Sequence, residues 1–437
     1  MSNQLQKWIF LGVLLLTYGL LFYFFVNLEL NSDFTSFYAS SLAYTQDRNP
    51  YQGIPNSFLP HSTHLLIDLN PPFFLELFAP LTHLTFATAS ILWFFISLIL
   101  GGIGAALSFF IFSSSTMFKK YWGHFILFYL AMYPTMINSI FGQLGNFLLF
   151  FIALGYYFSL KKRDCLAGFF WGIIVAIKLF PALLFFFALV QKRYKLFWAM
   201  LLTAVCASLI PLLTHGFKIY TLYFKTLHDV LWFGNSWNAS IYGFLYRSFI
   251  NVDAQPNFLP IKIAYLIIFI GLLIWYIKKI HFFQKFAQPN YAFCLTVIMM
   301  LLLSPFGWLY YFPLLLMPLM LVEQGLSSAV FFRSHKKVNS LYNLWILCLF
   351  LICFPLGNVQ ARYMGLFIYK ITIYSTYFYG LVLLVYLLNT TYHFTPHKRE
   401  PHAHVTVLFP LKIFLSLGLG VVLIIFIMHF YHIIIEA

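Results

Sequence analysis

Long apolar runs recur from the start of the chain to its end, each divided from the next by a short cluster of lysine or arginine. No water-soluble fold can hide that much apolar surface. Of the 437 residues, 62% are hydrophobic and 8% charged, whereas soluble chains carry about a quarter charged residues. The runs leave no room for a soluble domain, so the expectation is one all-α, polytopic integral membrane domain over residues 1–437.

The 26 Lys and Arg outnumber the 11 Asp and Glu to give +15, a balance that in a soluble protein would suggest nucleic acid. Here the cations sit between apolar runs, so they read as markers of cytoplasmic loops, and no nucleic-acid partner is expected. The clusters are Lys119-Lys120, Lys161-Lys162-Arg163, Lys192-Arg193 with Lys195, Lys278-Lys279 with Lys285, Arg333 with Lys336-Lys337, and Lys398-Arg399. If all are cytoplasmic, an even number of crossings separates each neighbouring pair. The run from Trp8 follows Lys7 and shows no small-residue cleavage site after it, which marks a retained first helix. A partial helix at 71–81 and helices near 88–112, 121–160 (divided at Asn138 to Gly142), 196–213, 261–276, 291–323 (broken at 304–307), 341–355, 366–388 and 405–430 follow. With a bent pair over 165–190 the count is about thirteen. The five cysteines show no metal or redox spacing and read as packing residues.

Lys178 is the sharpest anomaly, because it stands near the middle of the apolar run 165–190 with Pro181 just after it. A straight helix would hold the cation at mid-bilayer and put its flanking clusters on opposite sides. A bent hairpin resolves both problems, but its short arms must be wrapped by other helices. Unpaired backbone at such depth is tolerated only inside protein or beside a water-filled cavity, so a cavity is expected at Lys178.

With the cations inside, one outer face collects Glu29, Asp33, Gln143, Asn146, Lys178, the stretch 214–240, Arg247 and the break at 304–311. Two extracytoplasmic regions are expected, 29–70 and 214–258. Asp33 precedes apolar positions 34, 37, 38 and 42 at helical spacing, which predicts an interfacial helix. Its carboxylate is either a general base for an acceptor hydroxyl or the cap of that helix, and the roles are compatible. Lys178 and Arg247 are candidates to neutralise a phosphate leaving group, Arg247 alternatively anchoring at headgroups. Gln143, Asn146, Asn235 and Ser236 either bond sugar hydroxyls or close helix turns. Most of the aromatic residues must face lipid or helix neighbours, and a few near Trp237 and Trp308 are candidates to stack on a sugar ring. His393, His397, His402 and His404 fit no compact ligand set, and no metal or other cofactor is expected.

Several stretches together resemble glycosyltransferase family 87, membrane enzymes of the GT-C type that include polyprenol-phosphate-mannose-dependent α-mannosyltransferases. They are Asp33-Phe-Thr-Ser-Phe-Tyr-Ala39 with Asn49-Pro50-Tyr51, then Asn70-Pro71-Pro72-Phe73-Phe74 continuing to Ala79-Pro80-Leu81. Gly142-Gln143 with Asn146, Leu166-Ala-Gly168 leading to Ile177-Lys178-Leu179-Phe180-Pro181, Asn235-Ser236 with Arg247, and Ser304-Pro305 with Trp308 follow in the family's order. The resemblance implies a GT-C-like bundle of about thirteen membrane helices with an extracytoplasmic-facing cavity. It makes Asp33 the catalytic base, Lys178 and Arg247 donor-phosphate or site-shaping residues, and Ser304, Trp308 and Tyr310 part of the sugar pocket. Family members often show His where this chain has Tyr310 and Tyr311.

The function expected is therefore inverting transfer of a hexose, mannose by resemblance, from a polyprenyl-phosphate donor to a lipid or glycan acceptor. The setting is the periplasmic or extracellular face of a bacterial inner membrane. A transporter or flippase for a lipid-linked or anionic substrate is the alternative, since broken helices and a midplane cation also mark carriers. Protein O-mannosyltransferases typically pair two acidic residues after the first helix, whereas Asp33 is followed by Phe34.

Overall fold

The computed structural model describes residues 3–27, 32–52, 68–113, 115–250, 258–329 and 335–394. Glu29, Lys398-Arg399, His397, His402, His404 and the helix expected near 405–430 lie outside them. The helices run in the order α1 (Asn3–Asn27), α2 (Ser32–Thr45), α3 (Pro72–Phe78), α4 (Phe86–Phe112), α5 (Ser115–Ala131), α6 (Tyr133–Ile140), α7 (Gly145–Leu160), α8 (Asp164–Ile177), α9 (Leu184–Val190), α10 (Tyr194–His215), α11 (Lys218–His228), α12 (Ile241–Phe249), α13 (Leu259–Lys285), α14 (Pro289–Leu303), α15 (Leu316–Ala329), α16 (His335–Ile352), α17 (Phe367–Ile371) and α18 (Thr376–Thr391). Among the described residues the one strand-like contact is an isolated antiparallel bridge between Asn238 and Trp308.

Five helical stretches are long and apolar enough to cross a bilayer, namely α4, α10, α13, 309–326 and 367–391. The pair α6 and α7, bent by 119°, makes a sixth if it counts as one crossing, and α8, α9 with its preceding turn, α14 and part of α16 are apolar but shorter. This establishes a helical membrane protein.

The breaks have local causes. Between α6 and α7 the chain turns through Gly142 at φ 62°, a region that costs a side chain strain. The Asn138 side-chain oxygen accepts from the Gly145 amide at 2.7 Å, satisfying a first-turn donor of α7. Trp93 of α4 donates its indole N–H to the Gly142 carbonyl at 2.6 Å and holds the bend against the bundle. Gly145 itself is required by packing: a Cβ there would stand 1.9 Å from the Tyr310 carbonyl oxygen.

The second break is the hairpin expected at Lys178. α8 stops at Ile177, Lys178 is extended (φ −145°, ψ 134°), and Pro181 enters a short 3-10 turn at Phe180–Leu183 before α9. Proline disfavours helix in the residue before it and donates no N–H, which explains the interruption. α8 presses its Gly168 and Gly172 against the α10 backbone, where added Cβ atoms would lie 2.7 Å from the Leu196 carbonyl oxygen and 2.6 Å from that of Met200. Small residues let helix backbones approach where lipid offers no hydrophobic drive to associate.

The cationic loops close in one common way. Lys162 and Lys192 take positive φ (59° and 55°), and the next amides, Arg163 and Arg193, reach back to the carbonyls of Phe158 and Ala188 at 2.9 Å. Arg193 bonds the Ser159 carbonyl at 2.6 Å and pairs with Asp164, so both loops share one end of the bundle. α8 runs from that end to Lys178, and the Gly142 bend lies at the far end of α7.

The stretch 214–258 contains the short helices α11 and α12 among its described residues. One expectation needs correction. The helix expected over 366–388 is divided, because Thr372 (φ −106°, ψ −92°) leaves helical geometry between α17 and α18.

Candidate active site

The helix predicted from Asp33 onward forms as α2, and Phe34, Phe37 and Tyr38 are buried on its inner face. Phe37 meets Phe74 of α3 edge-on at 5.0 Å between ring centres. α2 begins at Ser32, so Asp33 lies inside the first turn rather than at the preceding cap position. The neighbouring Phe34 amide donates to the Phe141 carbonyl at 3.2 Å, which ties the start of α2 to the α6–α7 bend. That bend supplies Gln143. Its Oε1 accepts from the Leu144 amide at 3.3 Å, and its side chain hydrogen-bonds the Asp33 carboxyl.

Asp33, Gln143 and Lys178 all line one cavity of about 640 Å³, within the range typical of ligand sites. Burial pushes the Asp33 carboxyl up to about 6, opposed by the Gln143 hydrogen bond and by the positive charge of Lys178. Lys178 stands at the hairpin tip with its Nζ 5.8 Å from the centre of the Tyr311 ring and, among the described residues, forms no direct ion pair.

A second carboxyl, Asp68, also faces the cavity, and sequence reasoning missed it. Burial pushes it up to about 7, against hydrogen bonds from Asn70 and the charge of Lys178. Its signal is faint: an Asp two residues before Asn-Pro-Pro is an Asx turn, which reads as structure rather than chemistry.

The cavity has two characters. Asp33, Asp68, Gln143 and Lys178 give it interacting polar groups, while Leu183 and Phe186, Phe269 of α13, and Met299, Met300 and Leu303 of α14 give it apolar lining. One wall is aromatic. Trp308 stacks on Tyr310 at 5.8 Å and lies nearly parallel to Phe306 at 6.4 Å, and Trp237 lines the same space. Ser304 and Asn235 line it too.

Three candidates stand elsewhere. Asn146 is fully buried between helices, accepting from the Tyr129 hydroxyl at 2.7 Å and donating to Ser97 at 3.1 Å. Ser236 donates to the Gly357 carbonyl at 2.7 Å and accepts from the Val359 amide at 2.9 Å. Arg247 is 0% exposed and is not among the cavity's lining residues. Its Nη1 donates to the carbonyls of Asn235 and Asn238, both at 3.0 Å, and its Nε to Ser375 at 2.9 Å. It braces the loop that carries Asn235 and Trp237.

That loop in turn holds a strap at 356–360. Beyond the Ser236 contacts, Trp237 donates to the Leu356 carbonyl at 2.6 Å, the Ser236 amide to the Val359 carbonyl at 2.9 Å, and Asn235 bonds Asn358. The strap brings Asn358 and Gln360 to the cavity, and no sequence signal marks them.

Fold and site together define an integral membrane protein with a carboxyl-bearing cavity of mixed polar and apolar lining. The profile of glycosyltransferase family 87 matches residues 69–305, more than half of the chain, and the chain belongs to that family. It is accordingly a membrane glycosyltransferase, acting with a sugar donor and an acceptor. No curated protein matches the chain.

Proposed function

We propose that this enzyme is of the GT-C type and moves a hexose, mannose by family resemblance, from a polyprenyl-phosphate donor to a hydroxyl of a lipid or glycan acceptor. The observation that carries this reading is the joining of one fixed cation, one poised carboxyl and an apolar lining in a single cavity. Leu183, Phe186, Phe269, Met299, Met300 and Leu303 offer apolar surface suited to a prenyl chain in the cavity that Lys178 also lines. A fixed cation sheltered from water strongly favours charge developing on a departing phosphate.

The acceptor oxygen attacks the anomeric carbon, the bond from that carbon to the phosphate oxygen breaks, and the acceptor proton passes to Asp33. The polyprenyl phosphate leaves as a stable anion beside Lys178, so no general acid is needed. Base and leaving group on opposite faces of the ring give inversion, by analogy with inverting sugar hydrolysis. Gln143 orients the Asp33 carboxyl, and the Trp308 wall stacks on the sugar. Arg247 acts at a distance, shaping the loop.

The reading places the cavity on the extracytoplasmic face of a bacterial inner membrane, in one membrane domain of about thirteen segments with the short and bent helices counted as crossings. The loops holding Lys162 and Lys192 sit at the end of the bundle opposite the Gly142 and Lys178 breaks, which supports that sidedness through the positive-inside bias. Family membership favours the enzyme over the transporter alternative.

The test is direct. Purified protein in proteoliposomes is given labelled polyprenyl-phosphate-mannose and a host lipid and glycan extract, and label should move to an acceptor. Transfer from a nucleotide sugar with none from the lipid donor would sink the proposal.

A further inference from the structure

Asp68 and Asn70 carry the two buried acceptor oxygens at the cavity wall that no other described residue satisfies. Asp68 is 3% exposed and Asn70 0%. Asp68 Oδ1 accepts from the Asn70 amide at 2.8 Å and from Asn70 Nδ2 at 2.7 Å, and the Asn70 carbonyl accepts from the Tyr51 hydroxyl at 3.0 Å. These bonds fix both side chains and engage the Asn70 amide and one of its two Nδ2 hydrogens. Among the described residues, Asp68 Oδ2 and Asn70 Oδ1 find no partner. Buried polar atoms are rarely left so, because each forfeits its bonds to water without replacement.

The chemistry of the pair selects its ligand. An ionised carboxylate oxygen and an amide oxygen only accept, so they repel phosphate oxygens and call for neighbouring O–H donors. Lys178 offers the complementary donor elsewhere on the same cavity. A substrate carrying an anionic group and a polyhydroxyl ring can satisfy both.

We propose that Asp68 and Asn70 form a hydroxyl-recognition subsite that binds two neighbouring hydroxyls of a hexose ring. The inference rests on the glycosyltransferase reading of this cavity and deepens it. The ring belongs either to the donor sugar or to the acceptor glycan, which present the same chemistry. Asp33 keeps its separate task of taking the acceptor proton.

The first measurement is binding, which needs no turnover. Methyl mannoside, methyl glucoside and methyl galactoside, each with its monodeoxy counterparts, are titrated against the fluorescence of the cavity tryptophans Trp237 and Trp308. The wild type should bind at least one hexoside and discriminate against one or two of its deoxy forms by about tenfold to a hundredfold, as expected for a hydrogen bond to a charged group. Asp68→Asn should erase that discrimination. Should it fail to fold, Asn70→Ser serves instead, because serine keeps a donor toward Asp68 Oδ1 and lacks the amide oxygen.

Transfer assays then identify the ring, one arm with deoxy donor sugars on polyprenyl phosphate and the other with deoxy methyl hexosides as acceptors. Loss of discrimination in one arm assigns the subsite to that substrate. Absence of hexoside binding to the wild type, or unchanged discrimination in the folded variants, overturns the proposal. Discriminating binding without any transfer from a lipid donor would fault the transfer reading and leave the hydroxyl subsite standing.

Discussion

The Lys178 ammonium lies 5.8 Å from the centre of the Tyr311 ring, so the cation at the hairpin tip faces an aromatic surface rather than a paired carboxylate. A cation over a ring face gains only about 0.5–2 kcal/mol, too little to explain keeping a charge at this depth. Asp33 and Asp68 attract it across the cavity without a direct ion pair among the described residues, and in the proposed function a donor phosphate is added as its close partner.

Lys178→Met should therefore leave the protein folded, with a melting temperature at or above that of the wild type, because it removes a desolvated charge. Donor use should fall sharply, by about a hundredfold or more. Equal donor affinity in variant and wild type would reduce Lys178 to a structural residue.

Arg247 predicts the opposite pattern. It donates to two loop carbonyls and to Ser375; Arg247→Met would leave the Asn235 carbonyl with the Asn238 amide but take the guanidinium from the Asn238 carbonyl and Ser375, at a cost of about 1–3 kcal/mol. The melting temperature should drop, and activity should be lost through displacement of Asn235 and Trp237. A variant as stable as the wild type would show that the loop holds without its brace.

The contrast between these two cations shows what a sequence makes legible. Lys178 stands out because a charge inside an apolar run has few explanations, and the run's length, Pro181 and the flanking clusters leave the hairpin as the simplest. Arg247 binds main-chain carbonyls, which every residue has, so its partners leave no trace in composition or spacing. The same holds for Asn358 and Gln360, which reach the cavity on a strap whose main-chain groups are held mainly by side chains of a distant loop. Asp68 was hidden by its own Asx turn. Asn146 and Ser236 share a polar character with the true lining residues and differ only in which way they face.

The sidedness is open to a simple labelling test. With the cytoplasmic cysteine background removed, single cysteines at 304 and 358 should react with an impermeant maleimide added outside intact cells, and one at 162 only after permeabilisation. Labelling of 162 and 358 from the same side would invert or break the proposed topology.

The pH dependence follows from the two raised carboxyls. Asp33 must be ionised to accept a proton, so the transfer rate should rise with pH through about 6 and level off above it. Stability should move the other way. A carboxyl whose folded value lies above its usual 3.8 favours the folded state below that usual value, and the contribution is lost as pH climbs through about 6 for Asp33 and about 7 for Asp68. The melting temperature in detergent should thus fall between about pH 4 and pH 7, and Asp33→Asn should flatten part of that slope. A rate that falls from about pH 5 to pH 7 would argue for a protonated group at Asp33's place in the reaction.

Asp33→Asn separates chemistry from architecture. The α2 helix gains little from this side chain, because Asp33 sits inside the first turn and a carboxylate there interacts with the helix end by only about 0.3–1 kcal/mol. Asparagine keeps the shape and can still meet Gln143. The variant should melt at or above the wild type at neutral pH, because it removes a buried charge, and bind the donor with similar affinity. It lacks the oxygen that takes the acceptor proton, a contribution of about a hundredfold to ten-thousandfold for a positioned base. Asp68 is the control, since it is the other raised carboxyl in the same cavity. If it served as the base instead, Asp68→Asn would abolish transfer at saturating substrate while Asp33→Asn retained it. Transfer rates of both variants, at matched expression and saturating donor and acceptor, decide between them. Near-normal turnover in Asp33→Asn would remove this residue from the chemical step.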